Sequence, residues 1–452
     1  MKIIIAGGGK VGEKVCEELA LENHDIIVIE KNETRLNELM DHYDITGVAG
    51  NCESIQILEE IDTATADIFM ALTENDEINI ISSILAKQLG ATYTVARVRK
   101  PEYSKQTRFV QESFGINLIV NPELETARYI FKTLNYTQAL SMDSFLRNRV
   151  SLIELEVKEN SIMDHVKVKD LREQFQSIMV CIVRRNNDQI IVPNGETLLY
   201  PNDRVHLTGS NQDMSLFMKK YSVNKRLHSS LIIGGGRIAY YLLQLLEKSH
   251  VTTRVIEVNP ERAQKLAIDF PNSEIIVADG TNQDILDEQN IERFDSFISL
   301  TGIDEENFID SIYAHHKGVK KVITKMDRTR MLKILKYEAI RSVVTPKLLV
   351  TNEVIQFVRS RENSQNSDVE AVYRIVDNQA EAIQFRVKSK SRLLGVPISE
   401  LQLKDNILIA YIVRDDKLLF PTGDDQLEVN DKVIVFAKSR IVTDIDSILT
   451  KG

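Results

Sequence analysis

Three glycines near the start of the chain have a spacing that is typical of a phosphate-binding turn. Gly7, Gly9 and Gly12 follow the apolar run 2–6 in a G-x-G-x-x-G pattern, and a helical pattern begins immediately after them. Glycines at these positions allow a tight turn, a close approach to a pyrophosphate, and close packing of the helix on the strand. The helix start favours an anion. The predicted nucleotide site here consists of Gly7, Gly8, Gly9, Lys10, Val11 and Gly12.

An acidic residue closes the second predicted strand, 25–30. At that position Glu30 can accept hydrogen bonds from both hydroxyls of an adenosine ribose. Its negative charge repels a 2′-phosphate and therefore disfavours NADP. NAD, NADH, ATP and ADP all carry the unmodified diol, so the residues leave the choice among them open.

The same pattern returns about half a chain later. A second glycine turn follows the run 231–233, with alanine at its third small position, and Glu257 closes the next strand as Glu30 does. The two offsets are equal, since 234 − 7 and 257 − 30 give the same difference. A register kept across separate motifs indicates a tandem duplication. The second predicted turn consists of Gly234, Gly235, Gly236, Arg237, Ile238 and Ala239.

Polar residues after the third and fourth strands continue both predicted sites. Asn51 and Asp279 are equivalent in the two halves and lie beside the expected position of the adenine or ribose. Thr73 and Thr301, which are separated by the same offset as that pair, end the fourth strands. A threonine hydroxyl there reaches a ribose or phosphate, or it caps the following helix, and the sequence supports both interpretations.

Cations complete the predicted sites. Arg97 ends the fifth strand of the first half, and Lys325 takes the equivalent place in the second half. For Arg97 we favour a contact with nucleotide phosphates over a solvated surface charge. Lys10 and Arg237 lie inside the glycine turns, where each either reaches a phosphate or points to water.

The elements that must position these residues alternate between strand and helix. In the first half the predicted strands are 2–6, 25–30, 45–49, 68–72, 93–98 and 117–120, and the helical periodicity is clear over 76–89. This order is typical of a doubly wound parallel sheet, which binds nucleotides at the carboxyl ends of its strands. A helix over 124–134, opened by the sequence Asn121-Pro122-Glu123, then leaves the sheet.

Shorter strands follow each sheet. In the first half they are 150–157, 178–184, 189–192 and 203–209, with a helix over 166–173. The second half repeats the sheet, with a helix over 304–317, a strand over 319–325 and an exit helix over 346–359. After a polar linker, 361–367, the remaining predicted strands are 382–387, 407–414, 417–420 and 432–436.

The sequence therefore predicts an α/β protein of two tandem Rossmann-like doubly wound parallel-sheet domains, each followed by a small α+β lobe. The predicted nucleotide-binding domains are 1–135 and 225–360, and the predicted lobes are 136–224 and 368–452.

The composition of the chain argues against several classes of function. The net charge of −10 argues against non-specific binding of nucleic acid. No apolar run approaches the roughly 20 residues of a membrane span, and the chain enters a strand without a signal peptide. The three cysteines fit no metal or redox spacing. We therefore expect a cytoplasmic protein, without metal, whose membrane role would run through a partner.

A glycine turn also occurs in dehydrogenases, so catalytic motifs would distinguish an enzyme from a binding protein. The sequence has no H-E-x-x-H, G-x-S-x-G or Walker motif, and the small lobes offer no grouping of acid and base residues. This favours ligand sensing over turnover, and we expect a protein that is not an enzyme. The alternatives are an NAD-dependent oxidoreductase acting on a small substrate and a cytosolic nucleotide-binding scaffold without a membrane partner.

The order of parts resembles the TrkA family, the RCK-domain regulatory subunits of bacterial Trk potassium-uptake systems. The resemblance rests on both glycine turns, both acids, both threonines, the 121–123 helix start, and the Pro-x-Gly…Asp signatures of the small lobes, which begin at Pro193 and Pro421. It implies binding of NAD or NADH, and of ATP or ADP, in the two sheet domains. It also implies a homotetrameric ring on the inner face of the membrane, beneath a potassium channel or transporter of the Trk type.

Two positions depart from the family pattern. The family commonly has Gly-Asp after the third strand, where this chain has Gly50-Asn51, and Lys325 stands where the first half has Arg97. Lysine cannot make the bidentate phosphate contact of arginine, so the two sites are expected to differ in affinity or ligand.

Overall fold

The computed structural model describes residues 1–22, 24–104, 106–136, 139–145, 150–185, 189–221, 227–328, 342–362, 368–375, 379–438 and 444–450. These residues form two halves with the same plan. Each half contains a six-stranded parallel sheet followed by a five-stranded antiparallel sheet. The predicted fold class is thereby confirmed.

The first parallel sheet has the strand order β3-β2-β1-β4-β5-β6. Its strands are β1 (Lys2–Ala6), β2 (Asp25–Glu30), β3 (Thr46–Ala49), β4 (Ile68–Ala71), β5 (Tyr93–Arg97) and β6 (Leu118–Val120). The helices are α1 (Lys10–Leu19), α2 (Glu33–His42), α3 (Ile55–Glu60), α4 (Asp76–Leu89), α5 (Pro101–Ser104), α6 (Thr107–Phe114) and α7 (Pro122–Asn135). Helices cover both faces of the sheet, so residues 3–6 of the central strand β1 form a continuous apolar run that is fully buried.

The first small lobe is built on an antiparallel sheet of order β10-β9-β11-β8-β7. Its strands are β7 (Ser141–Phe145), β8 (Val150–Glu156), β9 (Met179–Arg185), β10 (Gln189–Ile191) and β11 (Arg204–Ser210). Its helices are α8 (Val168–Gln174) and α9 (Asn211–Tyr221).

The second parallel sheet repeats the first, with the order β14-β13-β12-β15-β16-β17. Its strands are β12 (Ser229–Ile233), β13 (Thr252–Glu257), β14 (Glu274–Val277), β15 (Ser296–Ser299), β16 (Lys321–Lys325) and β17 (Ser342–Val344). The helices are α10 (Arg237–Lys248), α11 (Pro260–Asp269), α12 (Gln283–Glu288), α13 (Asp304–His316) and α14 (Pro346–Glu362).

The second small lobe has the strand order β18-β19-β22-β20-β21. These strands are β18 (Val369–Ile375), β19 (Ala380–Arg386), β20 (Ile407–Arg414), β21 (Lys417–Leu419) and β22 (Lys432–Ala437). The aspartates of the two lobe signatures are buried and paired: Arg185 Nη2 lies 2.7 Å from Asp203, and Arg414 Nη2 lies 2.8 Å from Asp431. Each pair fixes a turn of its lobe against the neighbouring strand.

The two exit helices are exchanged between the halves. Helix α7 of the first half packs along α10 of the second domain, and its core residues there are Ala127, Ile130 and Leu134. In return α14 packs against α1, and its residues in the core of the first domain are Val350, Val354, Ile355 and Val358. Burial of such a side chain contributes about 1.5–3 kcal/mol. Each parallel-sheet domain therefore depends on the other half for part of its core.

Polar contacts reinforce this exchange. Arg359 of α14 forms an ion pair with Glu22 of the first domain. The Nδ2 group of Asn121 donates to the hydroxyl of Tyr241 at 3.1 Å, which in turn donates to the carbonyl of Arg99 at 2.7 Å. These contacts fix the point where α7 leaves its own sheet and meets the second domain.

The two small lobes also pack against each other through one face of each antiparallel sheet. A shared apolar cluster joins Cys181 and Ile182 of the first lobe to Tyr411 and Phe436 of the second. Arg172 adds a hydrogen bond of 3.0 Å to the carbonyl of Phe420. The halves thus meet through the exit helices and also through the lobes.

Most of the predicted elements occur close to the expected residues, and helix 76–89 has the predicted bounds. The sequence did not predict β7, α9 or β18, although apolar side chains occupy every second position of β18. The predicted linker 361–367 begins too early, since α14 continues to Glu362; residues 363–367 lie outside the described residues. The guanidinium of Arg361 lies 4.6 Å from the ring of Tyr93, a tertiary contact that a polar run does not reveal.

The exchange predicts that a core residue on α14 stabilises the first domain. We expect Val354→Ala to lower the free energy of unfolding by about 2 kcal/mol, because the fully buried side chain loses two methyl groups. Urea denaturation measures the change. The half-buried Gln356→Ala on the same helix is the control and should stay within about 0.5 kcal/mol of wild type. Equal effects of both variants would contradict the exchanged packing.

Candidate functional site

The two glycine turns have the same backbone geometry. Gly9 and Gly236 precede α1 and α10 with φ of −70° in both, and a Cβ added to either would meet no atom within 4 Å. Gly7 and Gly234 have φ of +102° and +92°, a conformation that strongly favours glycine. A Cβ on Gly12 would lie 1.9 Å from the carbonyl oxygen of Gly7. One glycine of each turn therefore faces open space, whereas the others shape the turn.

The two acids that close the second strands bind the glycine turns themselves. The carboxylate of Glu30 accepts hydrogen bonds from the N–H groups of Gly8 at 2.7 Å and Asn32 at 3.0 Å. Glu257 accepts equivalent bonds from Gly235 at 2.6 Å and Asn259 at 2.7 Å. Each acid thus holds its turn in place. A carboxylate has about four acceptor positions, so contact with ribose hydroxyls remains a prediction.

Two buried asparagines, which the sequence analysis missed, join the strand ends. Asn79 accepts from the N–H of Thr73 at 2.9 Å and donates to the carbonyl of Arg97 at 2.8 Å. Asn307 does the same for Thr301 and Lys325, at 2.8 and 3.1 Å. The available signal was their spacing, because 307 − 79 equals 301 − 73. These amides fix the relative positions of the fourth and fifth strand ends at the predicted sites.

The threonine hydroxyls take part in this local network. The Oγ1 of Thr73 donates to Asn79 Oδ1 at 2.6 Å and lies 3.3 Å from the N–H of Asn75, the residue that caps α4. The Oγ1 of Thr301 lies 3.2 Å from the N–H of Ile303, which precedes α13. The hydroxyls therefore stabilise the loops before these helices, and a ribose or phosphate contact remains a prediction.

Two further arginines near the glycine turns were not predicted from the sequence. They lie in the first turns of α2 and α11. Arg35 donates from Nε to the carbonyl of Gly8 at 3.1 Å and pairs with Glu13 on α1. Arg262, its equivalent in the second half, lies 3.3 Å from the carboxylate of Glu257. Both therefore add positive charge beside a glycine turn.

A cleft of about 810 Å³ opens in the second domain where the strand order reverses between β12 and β15. Eight predicted site residues line it: Gly234, Gly236, Arg237, Ile238, Glu257, Asp279, Thr301 and Lys325. Gly235 and Ala239 are buried behind it and shape the turn. Glu123, at the start of α7, also lines the cleft. The exchanged exit helix of the first half therefore forms part of the wall of the second site.

Arg97 and Lys325, the cations that end the fifth strands at the rims of the two sites, have different surroundings. The buried Nε of Arg97 has no hydrogen-bond partner within the described residues, and burial lowers the pKa of the guanidinium. Lys325 donates to the carbonyl of Thr301 at 3.3 Å and lies 3.8 Å from Asp327. A buried donor without a partner costs free energy, which a ligand acceptor would offset. The first rim therefore offers a ligand one unpaired buried donor, on a guanidinium that Glu123 and Asp76 already stabilise electrostatically.

The cations inside the glycine turns also differ. Lys10 is exposed and forms a 3.0 Å ion pair with Asp327 of the second domain, beside a cavity of about 320 Å³. Arg237 is exposed and lines the cleft of its own domain. Lys10 therefore joins the first turn to the second domain, an arrangement that the sequence analysis did not foresee.

The residues after the third strands differ in charge. Asp279 accepts hydrogen bonds from the N–H and Oγ1 of Thr281, at 3.0 and 2.7 Å, which lower the pKa of its carboxyl. Its counterpart Asn51 is uncharged and exposed. The remaining predicted residue, Val11, is buried in the core of the first domain, so its side chain packs rather than faces a ligand.

Membrane spans and metal clusters are both absent from the described parts of the chain. No helix there combines the length and the apolar composition of a membrane span. No cluster of three or more His, Cys, Asp or Glu side chains there is arranged to hold a metal ion.

The sequence matches models of two domain families, each of them twice. The TrkA-N domain matches residues 3–122 and 230–346, and the TrkA-C domain matches residues 152–222 and 382–450. The chain belongs to the TrkA family. The resemblance stated from the sequence motifs is confirmed.

Relatives match over nearly the whole length of the chain. The Trk system potassium uptake protein TrkA homolog of Archaeoglobus fulgidus is 29% identical over 450 residues, which cover 99% of this chain and 100% of the relative. The Trk system potassium uptake protein TrkA of Vibrio alginolyticus is 29% identical over 456 residues, covering 99% and 98%.

Two solved structures share the fold. The GsuK channel bound to NAD aligns with a TM-score of 0.64 and 17% identity, over 97% of this TrkA-family chain and 77% of that chain. GsuK bound to ADP aligns with a TM-score of 0.52 and 15% identity, over 80% and 70%.

The glycine geometry predicts that alanine substitutions at two positions of one turn differ greatly in their effect on stability. We expect Gly12→Ala to destabilise the protein by about 1–3 kcal/mol, because its Cβ would collide with the backbone of Gly7. Gly9→Ala should lower stability by less than about 1 kcal/mol, because its Cβ enters open space and the remaining cost is that alanine is a poorer N-cap than glycine. Thermal unfolding of both variants makes the comparison. A large loss of stability in Gly9→Ala would show that this glycine is also structural.

Proposed function

We propose that this chain is the cytosolic regulatory subunit of a Trk-type potassium transport system. It binds NAD or NADH, and ATP or ADP, at its two parallel-sheet domains and controls potassium flux through a membrane partner. Its full-length relatives are named Trk system potassium uptake proteins. GsuK, which shares the fold, is a channel whose structures hold NAD and ADP.

The observation that carries the proposal is the wall shared between the halves. Glu123 stands at the start of α7, which belongs to the first half, yet it lines the cleft of the second domain. A nucleotide in this cleft therefore meets the exchanged helix directly. Ligand binding that favours one placement of α7 would shift the arrangement of the two halves, provided that the affinity differs between arrangements.

The chemistry of the cleft supports sensing rather than turnover. The carboxylate of Glu257 is engaged by the backbone of Gly235 and Asn259, and that of Asp279 by Thr281. These acids therefore have structural partners instead of the free geometry of a general acid or base. We accordingly infer that the protein is not an enzyme.

We further propose a homotetrameric ring on the inner face of the membrane. Ile81 on α4 and Ile309 on α13 occupy equivalent positions and are 50% and 58% exposed. Equivalent apolar positions on both halves are suited to repeated contacts between copies of the chain. We also propose that the domains are 1–135 and 225–360, that the lobes are 136–224 and 368–452, and that the predicted site residues contact the ligand.

Loss of both cradles, meaning the glycine turns at Gly9 and Gly236, should remove nucleotide control. We expect Gly9→Asp combined with Gly236→Asp to weaken NAD binding at least about 100-fold, since each carboxylate would occupy the open space of a cradle and repel the pyrophosphate. Potassium flux through the reconstituted membrane partner should then no longer respond to NAD, NADH, ATP or ADP.

The matched control is Gly195→Asp in the first small lobe, where an added Cβ would make an ordinary contact of 3.4 Å with Lys169. This variant should retain the nucleotide response. An unchanged response in the double variant would contradict regulation through the cradles, and consumption of NADH with a small substrate would support the oxidoreductase alternative.

A further inference from the structure

We propose that the second nucleotide site takes up a proton at Asp310 when it binds an anionic nucleotide, whereas the first site has no such coupling. This inference rests on the proposed nucleotide binding and adds a regulation that is confined to one of the two sites. The affinity of the second site would then rise as the pH falls, and that of the first would not.

Asp310 lies on α13, the helix from which Glu306 lines the second cleft. Its side chain is buried, and its Oδ2 atom has no hydrogen-bond partner among the described residues. Glu306 precedes it by one helical turn on the same helix face, and Asp279 follows β14. Both of these acids line the cleft. A third carboxyl group is thus enclosed behind two others that face the ligand space.

The surroundings of Asp310 favour its neutral form. Burial raises the pKa of its carboxyl to about 7, and the negative charges of Glu306 and Asp279 act in the same direction. The hydroxyl of Ser299 on β15 acts in the opposite direction. The adjacent strand β16 contributes Lys325, which lines the same cleft. Asp310 is therefore an enclosed group that can change charge near neutral pH when the charge in the cleft changes.

The first half lacks every member of this trio. At the equivalent positions of the duplication, Asn51 replaces Asp279, Ile78 replaces Glu306, and Ser82 replaces Asp310. The hydroxyl of Ser82 donates to the carbonyl of Ile78 at 2.7 Å, so a neutral group is satisfied within the helix. The duplication therefore supplies an internal comparison, because the two sites share a fold and differ in these three positions.

The direction of the coupling follows from charge. A bound pyrophosphate adds negative charge to a cleft that already contains Glu306 and Asp279, which makes an ionised Asp310 less favourable. Ligand binding therefore raises the pKa of Asp310, and reciprocally the protonated protein binds the ligand more tightly. A rise of one pKa unit corresponds to an affinity about tenfold higher at pH values below both pKa values than above them.

The test uses the full chain with Gly9→Asp, which leaves the second site as the one to be measured. NAD is the probe, because its pyrophosphate keeps the same charge between pH 6 and 8.5, whereas a terminal phosphate, with a second pKa of about 6, titrates at the lower end of this range. Calorimetry in two buffers of different ionisation enthalpy should show NAD binding up to about tenfold tighter at pH 6 than at pH 8.5. It should also show proton uptake near pH 7.5.

Two matched variants locate the proton. Asp310→Asn in the same background should bind NAD with little pH dependence and without proton uptake. The chain with Gly236→Asp in place of Gly9→Asp reports the first site, which should also show little pH dependence. Proton uptake that persists in Asp310→Asn would overturn the inference, as would equal pH dependence at both sites.

A measurement without nucleotide checks the state of Asp310 itself. Because its pKa is raised in the folded protein, its ionisation destabilises the fold progressively from about pH 4 to slightly above pH 7. Asp310→Asn should therefore raise the thermal unfolding midpoint more at pH 8 than at pH 5.5; an equal shift at both values would contradict the inference. If NAD binds at neither cradle at any pH, the proposed function fails first. If it binds equally at all pH values, only the proton coupling fails.

Discussion

The exchange of exit helices is the constraint on which the rest of the structure depends. Each parallel-sheet domain leaves an apolar surface along its first helix, and the helix that covers it comes from the other half. Because each domain buries the other's helix, neither core is complete alone. A change at one sheet is therefore transmitted to the other half by packing, and this is the physical basis for treating both nucleotide sites as parts of one regulatory unit.

The two halves share the residues that hold the glycine turns and strand ends in place, but they differ in the charged residues at the two nucleotide sites. Both halves keep the glycine turn, the acid that binds it and the asparagine that joins the strand ends. The rims differ, since Arg97 has an unsatisfied buried nitrogen whereas Lys325 has Asp327 nearby. The backbone must satisfy its hydrogen bonds in the same way in both halves, but ligand-facing charges are free to diverge. The two sites therefore have the same shape and different electrostatics.

The acids that close the second strands illustrate how far a motif can be interpreted. The sequence predicted Glu30 and Glu257 as ligand groups, from a pattern in which such acids contact ribose. In the structure their nearest partners are the N–H groups of Gly8 and Gly235. The carboxylate at this position thus stabilises the turn itself, and it can serve a ligand only with its remaining acceptor positions.

The sequence by itself determined the fold class, the duplication and the position of each glycine turn, because these depend on local periodicity and on conformations that favour glycine. Only the tertiary structure showed which exit helix covers which domain. It also showed that Lys10 forms an ion pair with Asp327 and that Glu123 lines the second cleft. These contacts join residues that are far apart in a repeated sequence, where either half offers an almost equivalent partner. Local patterns cannot distinguish between the two halves, whereas packing of the complete chain selects one.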